Sequence, residues 1–304
     1  MRYIRTLKTL ISLAVILPVL AFATSPSMAA EKLRFGLLPA EDAIEMVRQF
    51  QGIADHVSKA VGMETEIFVS QSYNALIEAM EAGKIDVAYL GAGTYVAAYL
   101  KGFGIVPLVV TKLHGRTYYK SCIITRADSG LQTLSDLKGK TFAFVSPTST
   151  SGGIGPRYYL GKNGINPEAD FEKLIYAGKH DAVFLAVKNG KVDAGATADA
   201  YFSRWKDRGI LNFEKWDEPN DNMVNGDIRV LGCQKVPSTL IAARKALGEE
   251  MTEKMVKALV TIPNAVLDKL RIWGVHEAFI RTNHAFFEEF LQMKLMAAKM
   301  KKKK

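Results

Sequence analysis

The sequence predicts an α/β fold, and three observations carry that prediction. Short strand-like apolar runs alternate with helix-like segments from one end to the other. Glycine repeatedly stands just past the end of a helical pattern, as at Gly62. The phrase Gly83-Lys84-Ile85-Asp86-Val87-Ala88 is also echoed by Gly190-Lys191-Val192-Asp193-Ala194-Gly195. In both halves a helix ends at glycine and a short strand runs to a loop of small or hydroxyl-bearing residues. A chain of 304 residues suits two compact lobes better than one. Two parallel-type sheets facing each other would point the loops beyond their strand ends into one cleft.

In order, Leu33–Leu37 reads as a strand, ended by Pro39. Residues 42–61 read as a helix with Ile44, Val47, Phe50, Ala54, Val57 and Val61 along one face. Strand Thr65–Val69, helix Tyr73–Glu81, strand 85–90, helix 96–100 and strand 105–110 follow. The second half continues with strand 121–125, a turn at Asp128-Ser129-Gly130, strand 142–145, helix 154–160 and strand 174–176. Helix 181–188, strand 192–196 and helix 200–206 come next. The polar, Pro-containing stretch 212–227 reads as a surface connection. Strands at 228–231 and 239–242 precede a remainder that reads as helical.

The ends set the compartment. Arg2, Arg5 and Lys8 precede an apolar run from Leu10 to Ala23, and Ser27-Met28-Ala29 offers small residues for cleavage. Residues 1–29 therefore read as a signal peptide cut after Ala29, with Ala30 the alternative, and the mature chain is expected in the periplasm. The formal charge of +9 falls to +6 without the leader's three basic residues, and to +2 without Lys301, Lys302, Lys303 and Lys304. The body is nearly neutral, and no aromatic–basic stripe points to nucleic acid. The lysine tail reads as a solvated end. Cys122 and Cys233 are an even count for an oxidising compartment. A disulfide and a pair of buried thiols both remain open.

The loop after 142–145 carries the most chemistry. Ser146-Pro147-Thr148-Ser149-Thr150-Ser151-Gly152-Gly153 joins the strand to an apolar segment. If that segment is a helix, its first N–H groups lack internal partners and face the loop with the positive dipole end. Three hydroxyls can add donors, and the glycines admit a ligand close to the backbone. Such a turn suits a small oxyanion without formal positive charge; an ordinary Ser/Thr cap is the other reading.

Enzyme signatures fail. Gly139-Lys140-Thr141 ends like a nucleotide-binding loop, but Leu134 stands where its first glycine belongs. Gly91-Ala92-Gly93 opens like a dinucleotide fingerprint, yet Val96 fills the third glycine position. No nucleophile elbow surrounds Ser149 or Ser151. The five histidines lack metal-ligand spacing. Neither catalysis nor a cofactor is expected.

With these residues laid out, the chain resembles the substrate-binding proteins of phosphonate/phosphite/phosphate ABC importers. The likeness runs from about residue 33 to about residue 247. It rests on ordered segments: Phe35 to Glu41, Gly83 to Ala88, Asp128-Ser129-Gly130, Asp136 through Val145 into the Ser-Thr-Ser-Gly loop, Ala177 to Ala182, and Val192 to Thr197. The resemblance implies a two-lobe periplasmic-binding-protein fold of type II, each lobe a mixed sheet flanked by helices. The chain crosses between lobes twice, giving lobe I as 30–122 with 233–304 and lobe II as 123–232. It implies that Ser149, Thr150, Ser151 and His180 hold the oxyanion, with Tyr73 and Tyr95 reaching in from the other lobe. The implied partner is an ABC permease at the inner membrane, served by a monomer.

Departures from the family pattern matter. Ser72 stands where an Asp is usual before the first tyrosine, and Gly91-Ala92 where Gly-Pro is usual before the second. No carboxylate lies between Leu231 and Ala246, where amine-bearing phosphonates would meet one. Cys122 and Cys233 fall on the two expected crossing segments. A disulfide there would brace the hinge. A free thiol pair facing the cleft would instead suit arsenite, and a sensor subunit of a histidine kinase in place of an importer component.

Overall fold

The chain changes sheets well before it reaches the hydroxyl loop. The computed structural model describes residues 32–40, 42–270 and 276–301. The expected leader, its cleavage at Ala29 and the last three lysines lie outside the described residues. The chain runs β1 (Leu33–Leu37), α1 (Ala43–Val61), β2 (Thr65–Val69), α2 (Tyr73–Glu81), β3 (Val87–Leu90), α3 (Ala92–Tyr99) and β4 (Ile105–Lys112). Next come β5 (Tyr118–Arg126), β6 (Thr141–Phe144), a π-helical turn (Thr150–Ile154), α4 (Gly155–Lys162), α5 (Pro167–Asp170), β7 (Lys173–Tyr176) and α6 (His180–Lys188). β8 (Ala194–Ala198), α7 (Ala200–Asp207), β9 (Lys215–Asp217), β10 (Asn222–Val224) and β11 (Ile228–Pro237) follow. The chain finishes with β12 (Leu240–Arg244), α8 (Glu249–Val260), α9 (Asn264–Leu267), β13 (Ala278–Arg281) and α10 (Glu288–Lys301).

The first sheet has the order β13-β4-β12-β3-β1-β2, and the second β11-β5-β8-β6-β7. β1 pairs parallel with β2 and β3, and β6 pairs parallel with β7 and β8. β12 and β13 join the first sheet antiparallel, as β5 and β11 join the second. Both sheets are therefore mixed and flanked by helices. The chain leaves the first sheet after β4 and returns between β11 and β12.

The repeated glycine-lysine-aliphatic-aspartate phrase has a structural reason. Asp86 receives two guanidinium bonds from Arg34 (2.8 and 2.7 Å) and one from Arg244 (2.9 Å), tying β1, β3 and β12 together. Asp193 accepts from the Thr141 N–H (2.8 Å) and hydroxyl (2.7 Å), tying β6 to β8. In each half one carboxylate fixes the strands whose far ends carry the site. A charged partner or a cluster of donors keeps such a carboxylate ionised where it is partly withdrawn from water.

Several local expectations are corrected. α1 begins at Asp42, whose side chain caps the Ile44 and Glu45 N–H groups (3.1 and 3.0 Å), and ends at Gly62 with φ +72°. Its inward face is Met46, Phe50, Ile53, Ala54 and Val57, while Ile44 is 81% exposed. The 3.6-residue period fits both stripes, and the sheet selects the one that Met46 and Ile53 extend. α3 starts at Ala92, not Val96, because Gly91 is extended and caps the helix one turn earlier. The stretch 212–227 folds as the β9–β10 ribbon. The end of the chain is not wholly helical: β13 closes the first sheet against β4, supplying an edge that a helical pattern does not show.

Candidate functional site

The site lies where four parallel strands end. β6 stops at Phe144, and the chain turns so tightly that Ile154 donates to the Ser149 carbonyl (2.9 Å), the i→i−5 bond of a π turn. Ser149 caps this turn, its Oγ accepting from the Gly152 N–H (3.1 Å). The two glycines serve packing. A Cβ on Gly152 would sit 2.2 Å from Val145 Cγ2, and one on Gly153 would sit 2.0 Å from the Ser146 carbonyl. Neither position admits any side chain. Ser149, Thr150 and Ser151 are all buried.

Neighbouring elements hold each hydroxyl. The Tyr119 hydroxyl donates to Ser151 Oγ (3.2 Å), and Ser121 Oγ donates to the Ser151 carbonyl (2.8 Å). From the first sheet, the Gly93 N–H donates to Thr150 Oγ1 (2.9 Å), and Thr94 Oγ1 donates to the Thr148 carbonyl (3.3 Å). Tyr73, first residue of α2, bonds Ser149 through its hydroxyl; burial nonetheless raises its phenol well above the ordinary range. Burial likewise pushes Tyr119 up to about 12, against its bonds with Ser151 and Thr150. Both tyrosines remain neutral donors. The approach of α3 is backbone against backbone: a Cβ on Gly93 would lie 2.6 Å from the Thr148 carbonyl and 2.8 Å from Thr150 N.

The second turn stands beside the first. The Gly178 N–H donates to the Val145 carbonyl (2.9 Å), which sets the lead into α6 next to the lead into the π turn. His180 opens α6, buried, with Nδ1 at 2.9 Å from Thr197 Oγ1 and its ring stacked on Tyr201 at 4.7 Å. Burial lowers its pKa to about 3, so the imidazole is neutral at physiological pH. Asp199, two residues beyond Thr197, accepts from the Lys120 N–H (3.0 Å), and burial pushes its carboxyl up to about 6. Tyr95 points elsewhere: its hydroxyl meets His284 Nδ1 (2.9 Å) and its ring packs on Phe287.

The surroundings are thus hydroxyls, backbone amides and one uncharged imidazole, with the buried Asp199 carboxyl behind Thr197. Among the described residues no group of three His, Cys, Asp or Glu side chains is placed to hold a metal ion. Over residues 35–282 the chain matches the family described as ABC transporter, phosphonate, periplasmic substrate-binding protein. It belongs to that family.

Within the family, the phosphate-import protein PhnD of Mycolicibacterium smegmatis is 30% identical over 236 residues, 74% of this chain and 70% of that protein. The phosphonates-binding periplasmic protein of Escherichia coli is 32% identical over 177 residues, 56% of this chain and 52% of its own length. In fold, the chain is similar to PhnD1 from Prochlorococcus marinus, solved with methylphosphonate: TM-score 0.72 at 19% identity, over 88% of this chain and 98% of that one.

Against the sequence-based expectations, Tyr73, Ser149, Thr150 and Ser151 share one network, and His180 stands on the neighbouring turn. Tyr95 is bound to the C-terminal segment. Sequence reasoning missed Tyr119, Thr197, Tyr201 and Asp199. Thr197 and Asp199 follow the strand end of the second Gly-Lys-Val-Asp phrase, the signal that would have found them. The thiol-pair reading is overturned: Cys122 and Cys233 sit opposite each other in β5 and β11 and are joined in a disulfide. With no thiolate present, soft-metalloid capture and the sensor role built on it lose their basis.

Proposed function

We propose that this phosphonate-binding-family protein captures a small phosphorus oxyanion between the π turn and Tyr73 and delivers it to an ABC permease. The observation carrying this reading is the buried Ser149–Thr150–Ser151 turn, supplied with neutral donors from both sheets. Ser149, Thr150 and Ser151 take the ligand's oxygens, together with the turn's backbone N–H groups. His180 donates from Nε2, its tautomer set by Thr197 donating to Nδ1. Tyr73 closes from the first lobe, and Tyr95 stands behind it, bracing the wall through His284. Hydrogen bonds to a charged group contribute about 1.5–3 kcal/mol each. Four of them give about 6–12 kcal/mol before ordering costs, a range that brackets the roughly 8 kcal/mol of micromolar binding.

The ligand class is a small phosphorus oxyanion: a phosphonate, phosphite or phosphate. Phosphate would be excluded if one face of the site is apolar, because its fourth oxygen would lose hydrogen bonds there. We place the lobe division at 30–122 with 233–304 and at 123–232, and the leader's cleavage after Ala29. The mature monomer carries out no turnover, and the permease reads its closed form. Calorimetry with methylphosphonate, phosphite, phosphate and aminoethylphosphonate tests the assignment. Binding of the first two at micromolar affinity or tighter supports it; binding of none, or unchanged affinity in Ser149→Ala and His180→Ala, defeats it.

A further inference from the structure

The hydroxyls of the π turn form directed chains. A backbone N–H can only donate, so a hydroxyl that accepts from one has its own proton to pass on. The Gly93 N–H donates to Thr150 Oγ1 (2.9 Å), Thr150 bonds the Tyr119 hydroxyl, and Tyr119 donates to Ser151 Oγ (3.2 Å). The Gly152 N–H donates to Ser149 Oγ (3.1 Å), which bonds the Tyr73 hydroxyl. Each chain therefore keeps one proton unspent, whichever of its hydroxyls faces the ligand. The Nε2 proton of His180 adds a further donor.

Acceptors are taken up by the protein. The carbonyls of Ser146, Thr148 and Ser149 accept from the Ser149 N–H, Thr94 Oγ1 and the Ile154 N–H. Those of Thr150 and Ser151 accept from the Gly155 N–H and Ser121 Oγ. The Asp199 carboxylate accepts from the Lys120 and Ala200 N–H groups.

We infer, on the oxyanion reading of this turn, that the site selects the fully deprotonated form of its ligand: a tetrahedral dianion, such as a phosphonate or phosphite stripped of its last acidic proton. A ligand that keeps a P–OH meets donors with a donor. It loses one charge-assisted bond and buries an unpaired hydrogen, a handicap on the order of a hundredfold. Removing that proton beforehand costs about tenfold for each pH unit below the ligand's second ionisation. The dianion therefore wins down to about two units below that point.

The protein's own ionisations act in the opposite direction. Each one loses positive or gains negative charge as pH rises, which weakens an anion's hold. On the elements around the turn these groups are Tyr73, Tyr119, His180, Asp199 and Lys294 on α10, whose pKa burial lowers. Arg157 on α4, paired with Glu168 (2.6 Å), stays charged throughout. Affinity that climbs with pH is thus the mark of the ligand's proton alone.

The test is calorimetric titration of the mature chain with phosphite and with methylphosphonate from about pH 5 to about pH 9. Affinity should rise about tenfold per pH unit up to each ligand's second ionisation and then stop rising. The midpoint should lie lower for phosphite, the stronger acid. Below the midpoint each bound ligand should release about one proton, read by repeating the titration in buffers of different ionisation heat. In Asp199→Asn the midpoint should stay with the ligand. Tight binding that is flat or falls with pH, one midpoint shared by both ligands, or a midpoint lost in Asp199→Asn would overturn the proposal and leave the oxyanion reading standing. Binding of neither ligand at any pH would overturn both.

Discussion

The two walls of the cleft are built on different plans. The wall from the second sheet carries polar side chains, each fixed by its own neighbours: Ser149 by Gly152, Ser151 by Tyr119, and His180 by Thr197 and Tyr201. The wall from the first sheet contributes mainly backbone, with Gly91 and Gly93 pressed against Thr148 and Thr150. Of its two candidate tyrosines, Tyr73 reaches the turn and Tyr95 is held by His284. One wall supplies chemistry and the other supplies fit. A carrier divided in this way gathers most of its ligand contacts before it closes, and closure adds the seal.

The largest effect should come from spoiling the fit. Gly93→Val places methyl groups where even a Cβ meets the Thr148 carbonyl at 2.6 Å. We expect at least a hundredfold loss of methylphosphonate affinity, about 2.7 kcal/mol, with an unchanged circular dichroism spectrum. If affinity survives, the first wall does not need to touch the turn.

Removing a single donor from the other wall should cost less. Ser149→Ala and His180→Ala are each expected to weaken binding about tenfold, about 1.4 kcal/mol, measured by calorimetry. Ser149→Ala should also lower stability by about 1 kcal/mol through its lost cap. The tyrosines sharpen the contrast. Tyr73→Phe should weaken binding a few fold, whereas Tyr95→Phe should leave affinity within twofold and lower unfolding stability by about 1 kcal/mol. Equal effects of the two on binding would erase the distinction between them.

The remaining effects are in pH. His180 falls to about 3 in the folded chain, so it adds stability above its ordinary value of 6.5, and this is lost as pH falls toward 3. Asp199 rises to about 6, so its contribution is full below 3.8 and disappears as pH climbs to 6. Between pH 3.8 and 6 the two oppose each other. Melting temperatures across pH 7 to 4 should therefore fall less steeply in His180→Gln and more steeply in Asp199→Asn. Parallel curves for all three proteins would mean these groups titrate alike in the folded and unfolded chains.

Much of this was legible from one strand of amino acids, and the illegible parts have physical reasons. The alternation of elements, the Gly62 stop and the hydroxyl turn are local, so local sequence encodes them. The Gly-Lys-aliphatic-Asp echo pointed to a repeated unit, but the bonds of Asp86 and Asp193 run to other strands and had no local trace. Gly152 and Gly153 looked like ligand-facing glycines, and they prove to be forced by contacts with Val145 and Ser146. The bond that Tyr95 makes was hidden for a similar reason. Its partner His284 lies 189 residues away, and no periodicity reports such a pairing. β13 escaped notice because an edge strand of four residues leaves too short a pattern to separate from a helix.

The bond between Cys122 and Cys233 closes a loop spanning 111 residues, which includes most of the second sheet. By loop length alone such a closure contributes about 4–5 kcal/mol, close to the whole net stability of a small domain. A newly made chain in a reducing cytosol lacks that support. With the sulfurs apart, the strands β5 and β11 must find each other through their own hydrogen bonds and packing.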